Sequence, residues 1–294
     1  MAFQVSGKTA LITGAGSGIC FEFAKLLVAN KCNVVIADLV LLPEAELLVQ
    51  DPGGNGTTAT ARAVFHETDV TDWKRLDRAF ERALKEFGGL DIVCPGAGIF
   101  EPDWSSIWHP NSGPDAPTTN TYQSLEVNLT HPIRCTQLAL DIFKRQGHGA
   151  VLLISSIAAQ MALLPVPLYA ASKAAISSFT RSLGPLEQHL NIRVCAVAPA
   201  IVETPIWTEE RRGWVDESVD CWIAPRTVAG VMLDMVQGVE YVGGTVLEVG
   251  FETTRRVEGI NDSGPDMMAK GYGVSKVMDG FVRTFGLIDK NFGK

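Results

Sequence analysis

The sequence predicts one α/β domain built on a doubly wound, seven-stranded parallel sheet. Two observations carry that expectation. Strand-length apolar runs rich in β-branched residues alternate with longer amphipathic runs, and each parallel β-to-β crossover demands a covering helix. No Pro/Gly-rich linker or internal repeat divides the pattern, so the 294 residues read as one domain rather than two.

In order, Thr9–Thr13 is the first strand, followed by a helix over Ile19–Asn30 and a second strand over Asn33–Asp38. Ala63–His66, a helix over Asp72–Phe87 and the strand Asp91–Cys94 come next. A helix around Ser124–Arg145 leads to the strand Ala150–Ser155, and a helix over Pro167–Gln188 leads to Ile192–Ala198. The helix Thr227–Val236 and the strand Thr245–Val249 complete the alternation. Three segments stand outside it. Glu101–Thr121 is polar and rich in Pro, Asn and Gly around Trp104 and Trp108, a loop long enough to be functional. Pro205–Pro225 carries Trp207, Trp214 and Trp222 among charges. The tail Phe251–Lys294 begins polar and ends in an amphipathic helix, Val274–Phe285, expected to pack on the parent domain or a neighbouring subunit. The expected organisation is therefore a domain over 1–250 and a C-terminal extension over 251–294.

Apolar residues at 46% and charged ones at 20% supply a sizeable core and exclude wholesale disorder. A net charge of -8 argues against a nucleic-acid partner. No apolar run approaches the roughly 20 residues that span a bilayer. The first strand lies too near the start to leave room for a signal peptide. The six cysteines (Cys20, Cys32, Cys94, Cys135, Cys195 and Cys221) show no C-x-x-C pair and no His at ligand spacing. They read as free thiols, and the expectation is a cytoplasmic protein without a metal site.

Strand one runs into Thr13-Gly14-Ala15-Gly16-Ser17-Gly18-Ile19-Cys20. Glycines at a strand-to-helix turn let backbone approach a pyrophosphate, and the helix N-terminus adds N–H donors and a partial positive charge. The spacing G-x-G-x-x-G fails because its sixth position is Ile19; T-G-x-x-x-G fits instead. Asp38 ends the second strand 24 residues after Gly14. That is near the roughly 20-residue offset at which a carboxylate accepts hydrogen bonds from an adenosine ribose. It would repel a 2′-phosphate, and no Lys or Arg stands at Ala15, Gly16, Ser17, Leu39 or Val40. The expected cofactor is NAD(H) rather than NADP(H).

Tyr169 and Lys173 stand at i and i+4, one turn apart on one helix face. A phenol with a pKa of about 10 is a poor acid/base at neutral pH. An ammonium at ~4 Å favours its ionised form by about 4 kcal/mol at an effective dielectric of ~20, before desolvation opposes it. Ser156 ends the fifth strand at the carboxyl edge of the sheet, where open α/β folds hold their ligands.

These motifs, with Asp69-Val70, Ala97-Gly98, Val127-Asn128, Ser155-Ser156 and Pro199 followed by Val202 and Thr204, resemble the short-chain dehydrogenase/reductase family over roughly residues 5 to 250. The run Pro167–Lys173 through Phe179–Leu183, with Asp38, looks most like its NAD-dependent 15-hydroxyprostaglandin dehydrogenase branch. The resemblance implies a Rossmann-type fold and a catalytic tetrad of Asn128, Ser156, Tyr169 and Lys173. Tyr169 is then the general acid/base and Ser156 polarises the carbonyl or hydroxyl. Lys173 lowers the Tyr pKa and binds the nicotinamide ribose, and Asn128 anchors a water. Gly14, Ser17, Gly18, Ile19, Ala97 and Gly98 border the cofactor. Asp69 and Val70 face the adenine, and Val202 and Thr204 the carboxamide. A homodimer or homotetramer is expected on the same ground.

Three departures from the family pattern stand in the sequence. Cys20 replaces the third glycine, Pro95-Gly96 replaces an Asn-Asn pair that braces the central strand, and Ala200 replaces a glycine after Pro199.

The segment 205–225 is the expected lid. Its Trp residues, with those of the other long loop, frame a bulky, largely apolar alcohol or ketone, for which Gln160, Trp207 and Trp104 are the substrate-facing candidates. The expected activity is NAD(H)-dependent interconversion of a secondary alcohol and a ketone, in a setting of specialised (secondary) metabolism. The alternatives are a retired cofactor-binding scaffold, and a redox-neutral isomerase or cyclase using the same site.

Overall fold

The computed structural model describes residues 3–51, 61–108, 115, 120–218, 220–259 and 289. The expected tail helix Val274–Phe285 lies outside them. Strands β1 (Thr9–Thr13), β2 (Asn33–Asp38), β3 (Ala63–Glu67), β4 (Ile92–Pro95), β5 (Gly149–Ile154), β6 (Ile192–Pro199) and β7 (Val246–Val249) pair in parallel, as expected. An eighth strand, β8 (Thr254–Arg256), pairs antiparallel with β7, giving the order β3-β2-β1-β4-β5-β6-β7-β8. Sequence reasoning had assigned it to the polar extension. All three of its residues are exposed, so it carries no apolar alternation to read.

The strands sort their side chains with period two. Ala10 and Ile12 of β1, Val34 and Ile36 of β2, and Ile92 and Cys94 of β4 enter one core layer. Leu11, Val35, Ala37 and Val93 enter the other. Helices α1 (Gly18–Ala29) and α9 (Pro225–Gln237) cover the first layer. Helices α3 (Trp73–Phe87), α5 (His131–Gln146) and α6 (Pro167–Ser182) cover the second. The helix read over Asp72–Phe87 begins at an Asp72 cap that accepts from the Lys74 and Arg75 N–H groups and ends on left-handed Gly88. Short helices α2 (Pro43–Gln50) and α8 (Glu209–Arg212) are not marked in the sequence pattern, and the helix expected over Pro167–Gln188 divides into α6 and a short α7 (Leu186–Leu190). Another short helix, α4 (Gln123–Leu125), runs through one π-turn, Glu126–Thr130, into α5. No helix among the described residues is long and apolar enough to cross a membrane.

Strand order reverses between β1 and β4, so the loops leaving these two strands diverge to opposite faces and open a crevice. Two of the family departures meet beside it. A Cβ on Gly96 would lie 2.0 Å from the Cys20 Sγ, so the thiol of α1 fills the space that a residue-96 side chain would need. Gly96→Ala is expected to destabilise the fold by about 1–3 kcal/mol through overpacking. In a Cys20→Gly background that loss should shrink by at least about 1 kcal/mol. A urea double-mutant cycle reads the coupling, and strict additivity of the two changes would show that the pair is not packed as described.

Candidate active site

The crevice is one continuous cavity of about 1080 Å3. Gly14, Asp38 and Asp69 line one end of it; Phe100, Trp207 and Trp214 line the other; Ser156, Tyr169 and Lys173 stand on the wall between them. All thirteen positions expected to border the cofactor, Tyr169 among them, line this cavity, Val70, Val202 and Thr204 included.

The turn after β1 is forced by a close approach. Gly14 has φ +71°, and a Cβ there would come within 2.6 Å of the Ala97 backbone. Ser17 makes no side-chain cap, and Ser17, Gly18 and Ile19 line the cavity, so the N-terminus of α1 opens into it. Asp38 Oδ2 accepts from the Gly16 N–H at 2.8 Å and Oδ1 from the Leu39 N–H at 2.7 Å. Each oxygen keeps a lone pair for a further donor. An open helix N-terminus beside a glycine turn and a carboxylate fits a dinucleotide's phosphates and ribose.

The Asn-Asn brace missing from the Pro95-Gly96 turn has a substitute. Thr13 Oγ1 accepts from the Gly96 N–H at 2.9 Å and the Ala97 N–H at 3.3 Å. Buried His131 faces the same oxygen through Nε2 at 2.9 Å, and its Nδ1 meets the Val127 carbonyl at 3.0 Å. A carbonyl only accepts, so Nδ1 carries the proton and Nε2 accepts from the threonine hydroxyl. Burial pushes the His131 pKa down to about 4, keeping the ring neutral.

Ser156 caps the 3₁₀ turn Ile157–Gln160, accepting from the Ala158 N–H at 3.1 Å, and hydrogen-bonds the Tyr169 phenol. Lys173 Nζ donates to the Ile154 carbonyl at 2.9 Å and lies 5.5 Å from the Tyr169 ring centroid. Burial lowers Lys173 to about 8. It also raises the Tyr169 phenol above its ordinary value, against a smaller lowering by the Ser156 bond. The direction is opposite to the sequence-based expectation, because desolvation of the buried phenol outweighs the lowering by the Ser156 bond. Asn128 sits in the π-turn, and both amide atoms hold Ile99: Oδ1 accepts from its N–H at 2.9 Å, and Nδ2 donates to its carbonyl at 2.8 Å. Asn128 is buried behind Gly98, close to Lys173 Nζ.

Residues that sequence reasoning missed tie this wall to the loops. Glu101 has φ +39° and is buried. Its Oε2 accepts from the Tyr169 N–H at 2.9 Å, and the Leu168 N–H also donates to the carboxylate. It thereby caps α6, which lacks a side-chain cap of its own. Burial raises the Glu101 pKa despite those bonds. Arg211 of α8 donates to the Glu101 carbonyl, and Phe100 packs edge-on to Tyr169 with ring centroids 4.7 Å apart. No local motif marks any of them, since Glu101 opens a polar loop and Arg211 sits in an Glu-Glu-Arg-Arg run.

Two expected substrate positions line the cavity, Trp207 and the half-exposed Trp104. Gln160 does not. Its amide oxygen accepts from Arg255 at 3.4 Å on the exterior, because the 3₁₀ turn carries it past the cavity rim. Trp222 packs behind Trp207, with ring centroids 5.4 Å apart, and Trp108 donates to the Leu164 carbonyl outside the cavity.

A family model described as short chain dehydrogenase matches residues 8–214, and the chain belongs to that family. It is 34% identical over 217 residues to trans-4-hydroxycyclohexanecarboxylate dehydrogenase of Sinomonas cyclohexanicum, covering 72% of this chain and 78% of that one. It is 29% identical over 265 residues to the mouse (Mus musculus) 15-hydroxyprostaglandin dehydrogenase [NAD(+)], covering 84% and 91%. Among solved structures it resembles a 3-ketoacyl-(acyl-carrier-protein) reductase from Brucella melitensis complexed with NADH, at TM-score 0.69 and 26% identity over 83% of this chain and 97% of that one. It also resembles the NADPH-dependent 3-quinuclidinone reductase of Rhodotorula rubra, at TM-score 0.69 and 25% identity over 84% and 91%. Fold, site and relatives together define an oxidoreductase that uses a nicotinamide cofactor. More particularly, it is an alcohol dehydrogenase/ketoreductase.

The neutral His131 gives a pH signature. Its folded pKa lies below the unfolded value of 6.5, so the unfolded chain binds more protons between about pH 4 and 6.5. The contribution is complete above 6.5 and is lost as pH falls towards 4, amounting to roughly 3 kcal/mol. Urea melts across that window should show stability falling with acid, with a shallower slope in His131→Gln. An unchanged slope in the variant would place the titration elsewhere.

Proposed function

We propose that the chain interconverts a secondary alcohol and its ketone on a bulky, largely apolar small molecule, with NAD(H) as cofactor and Tyr169 as general acid/base. One observation carries the proposal. The Ser156 hydroxyl, the Tyr169 phenol and Lys173 share one wall of a cavity that runs from the open N-terminus of α1 and Asp38 to an aromatic end.

The α1 N-terminus with Gly14, Ser17, Gly18 and Ile19 would hold the cofactor's phosphates, and Asp38 the adenosine ribose. Asp69, Val70, Ala97 and Gly98 would border its adenosine half, and Val202 and Thr204 the nicotinamide. When bound, the nicotinamide supplies or accepts the hydride. Asp38 supports NAD(H) because a 2′-phosphate beside it would meet a carboxylate, and Leu39 and Val40 offer no compensating cation. The mouse relative's printed NAD(+) points the same way.

For a ketone, the Ser156 hydroxyl donates to the carbonyl oxygen while the Tyr169 phenol gives it a proton. For an alcohol, Tyr169 takes that proton. Burial keeps the phenol protonated at neutral pH, which suits the acid role. Lys173, lowered to about 8, still carries most of its charge at pH 7 and stabilises the phenolate left behind. Asn128 holds the Ile99 backbone beside them. The segment 205–225 acts as the lid, with Trp207 and Trp104 excluding water from an apolar substrate. The relatives' printed hydroxycyclohexanecarboxylate and hydroxyprostaglandin substrates are consistent with an alcohol on a sizeable body. We further propose a cytoplasmic homodimer or homotetramer, with 1–250 as the catalytic unit and 251–294 as an extension. The assembled Ser156–Tyr169–Lys173 wall favours turnover over a retired scaffold.

Fluorescence titration should give NADH at least about tenfold tighter binding than NADPH, and the reverse preference would overturn the role given to Asp38. Tyr169→Phe should lower kcat by about 10²–10⁴-fold, with NADH affinity held within about threefold. Full activity in that variant would remove the phenol from the mechanism.

A further inference from the structure

Two thiols meet where α1 packs on the sheet, and the proposed chemistry uses neither. Cys20 lies in the first turn of α1, beside Gly18 and Ile19, and Cys94 lies on β4. Both are free thiols in the same core layer. Alternate residues of a strand face one way, so Cys94 shares its face with Gly96. A Cβ on Gly96 would lie 2.0 Å from the Cys20 Sγ, and the Cys94 thiol hydrogen-bonds the Cys20 thiol.

The two differ in access. Among the described residues lining the cavity, Cys20 is the one cysteine. Cys94 is fully buried, and its bond to Cys20 together with burial holds its pKa well above the ordinary thiol value. Cys32, Cys135 and Cys195 are buried and do not line the cavity, and Cys135 enters the opposite core layer. Cys221 is exposed. A reagent in the cavity therefore meets one thiol, with a second in contact behind it. An accessible thiol next to a resolving one is the arrangement of an oxidation-sensitive pair.

We infer that Cys20 and Cys94 form such a pair, and that their disulfide weakens binding of the nicotinamide cofactor. The oxidant is a peroxide entering through the cavity. With hydrogen peroxide, the Cys20 sulfur attacks one oxygen, the O–O bond breaks, and a sulfenic acid and water result. The Cys94 sulfur then displaces the sulfenic hydroxyl, which leaves as water with the Cys94 proton, so the two thiols together lose two electrons and two protons. An S–S bond is about 2.05 Å long. The sulfurs must close to that distance from hydrogen-bond contact, drawing the first turn of α1 towards β4. Gly18 and Ile19 in that turn are the residues proposed to hold the cofactor's phosphates. The effect on affinity rests on that reading; the cross-link does not. By linkage, bound cofactor opposes the disulfide by the same factor.

The test treats the reduced, cofactor-free protein with hydrogen peroxide and maps its cysteines by peptide mass spectrometry. A Cys20–Cys94 cross-link reversed by dithiothreitol is expected, with NADH affinity lowered at least about tenfold while it persists. In a glutathione redox buffer, saturating NADH should raise the pair's midpoint potential by about 30 mV for that tenfold difference. In Cys94→Ser, peroxide should leave Cys20 as a sulfenic acid, read from the mass of its peptide. Oxidation of exposed Cys221 without a Cys20–Cys94 cross-link would overturn the inference. So would a cross-link that leaves NADH affinity within about threefold. Failure of the fully reduced protein to bind NADH or NADPH would overturn the cofactor reading and the affinity effect with it, while the cross-link, read by mass, would stand.

Discussion

Two turns of backbone must pass within van der Waals contact for this crevice to exist. The turn after β1 meets the turn after β4 at Gly14 and Ala97, where a single added Cβ would sit 2.6 Å from main-chain atoms. The Thr13 hydroxyl holds them together by accepting two N–H groups from the second turn. A hydroxyl oxygen that accepts twice still has its proton to place, and buried His131 takes it. His131 is in turn fixed by the carbonyl of Val127, beside Asn128 in the π-turn. Asn128 then fixes Ile99, four residues beyond Pro95. The cofactor end and the Tyr169 wall are thus positioned by one chain of buried hydrogen bonds.

Such a network has to be satisfied throughout, because an unpaired buried donor or acceptor costs about 1–3 kcal/mol. That requirement explains why the Pro95-Gly96 turn stands without the amide pair its family uses. Proline has no N–H to satisfy, and the next two N–H groups both go to Thr13. Glycine leaves room for the Cys20 thiol, which lines the cavity. The departures compensate one another sterically and by hydrogen bonding, so none needs to be read alone as damage.

Much of this was legible from the chain. The seven parallel strands fall within a residue or two of the apolar runs that predict them, since strands buried on both faces leave a continuous hydrophobic signature. The glycine turn, Asp38, Ser156 and the Tyr169–Lys173 pair converge because each sits at the carboxyl edge of a strand or on the helix that follows it. What could not be read depends on long-range contact. Glu101 caps a helix that starts 66 residues later, and His131 reaches back 118 residues to Thr13. Gln160 failed for a local reason, because one short 3₁₀ turn decided which way it faced. Strand β8 carries only exposed residues and therefore no periodic signal. The phenol's pKa also defied the sequence argument, which counted the ammonium's charge but had no measure of burial.

Burial acts on the Tyr169–Lys173 pair in one sense, raising the acid and lowering the base, so each group is pushed towards its neutral form while Lys173, at about 8, stays mostly charged at pH 7. The proposed chemistry asks for charge to appear on the phenol only in passing. A site that stabilised a phenolate permanently would bind its own product state, whereas one that desolvates it holds the proton until a substrate oxygen takes it. In the proposed reading, the 205–225 segment completes that dry environment. Its two ends are held together at the Val202–Ile223 bridge. Between those anchors Trp207 packs on Phe100, Trp222 packs behind Trp207, and Arg211 reaches the Glu101 carbonyl. Because the Glu101 carboxylate also caps α6 at the Tyr169 N–H, one residue meets the segment through its backbone carbonyl and the reactive helix through its side chain. On the lid role proposed for the segment, opening it would remove a restraint from the reactive helix as well as a wall from the cavity, coupling access to the site with its geometry.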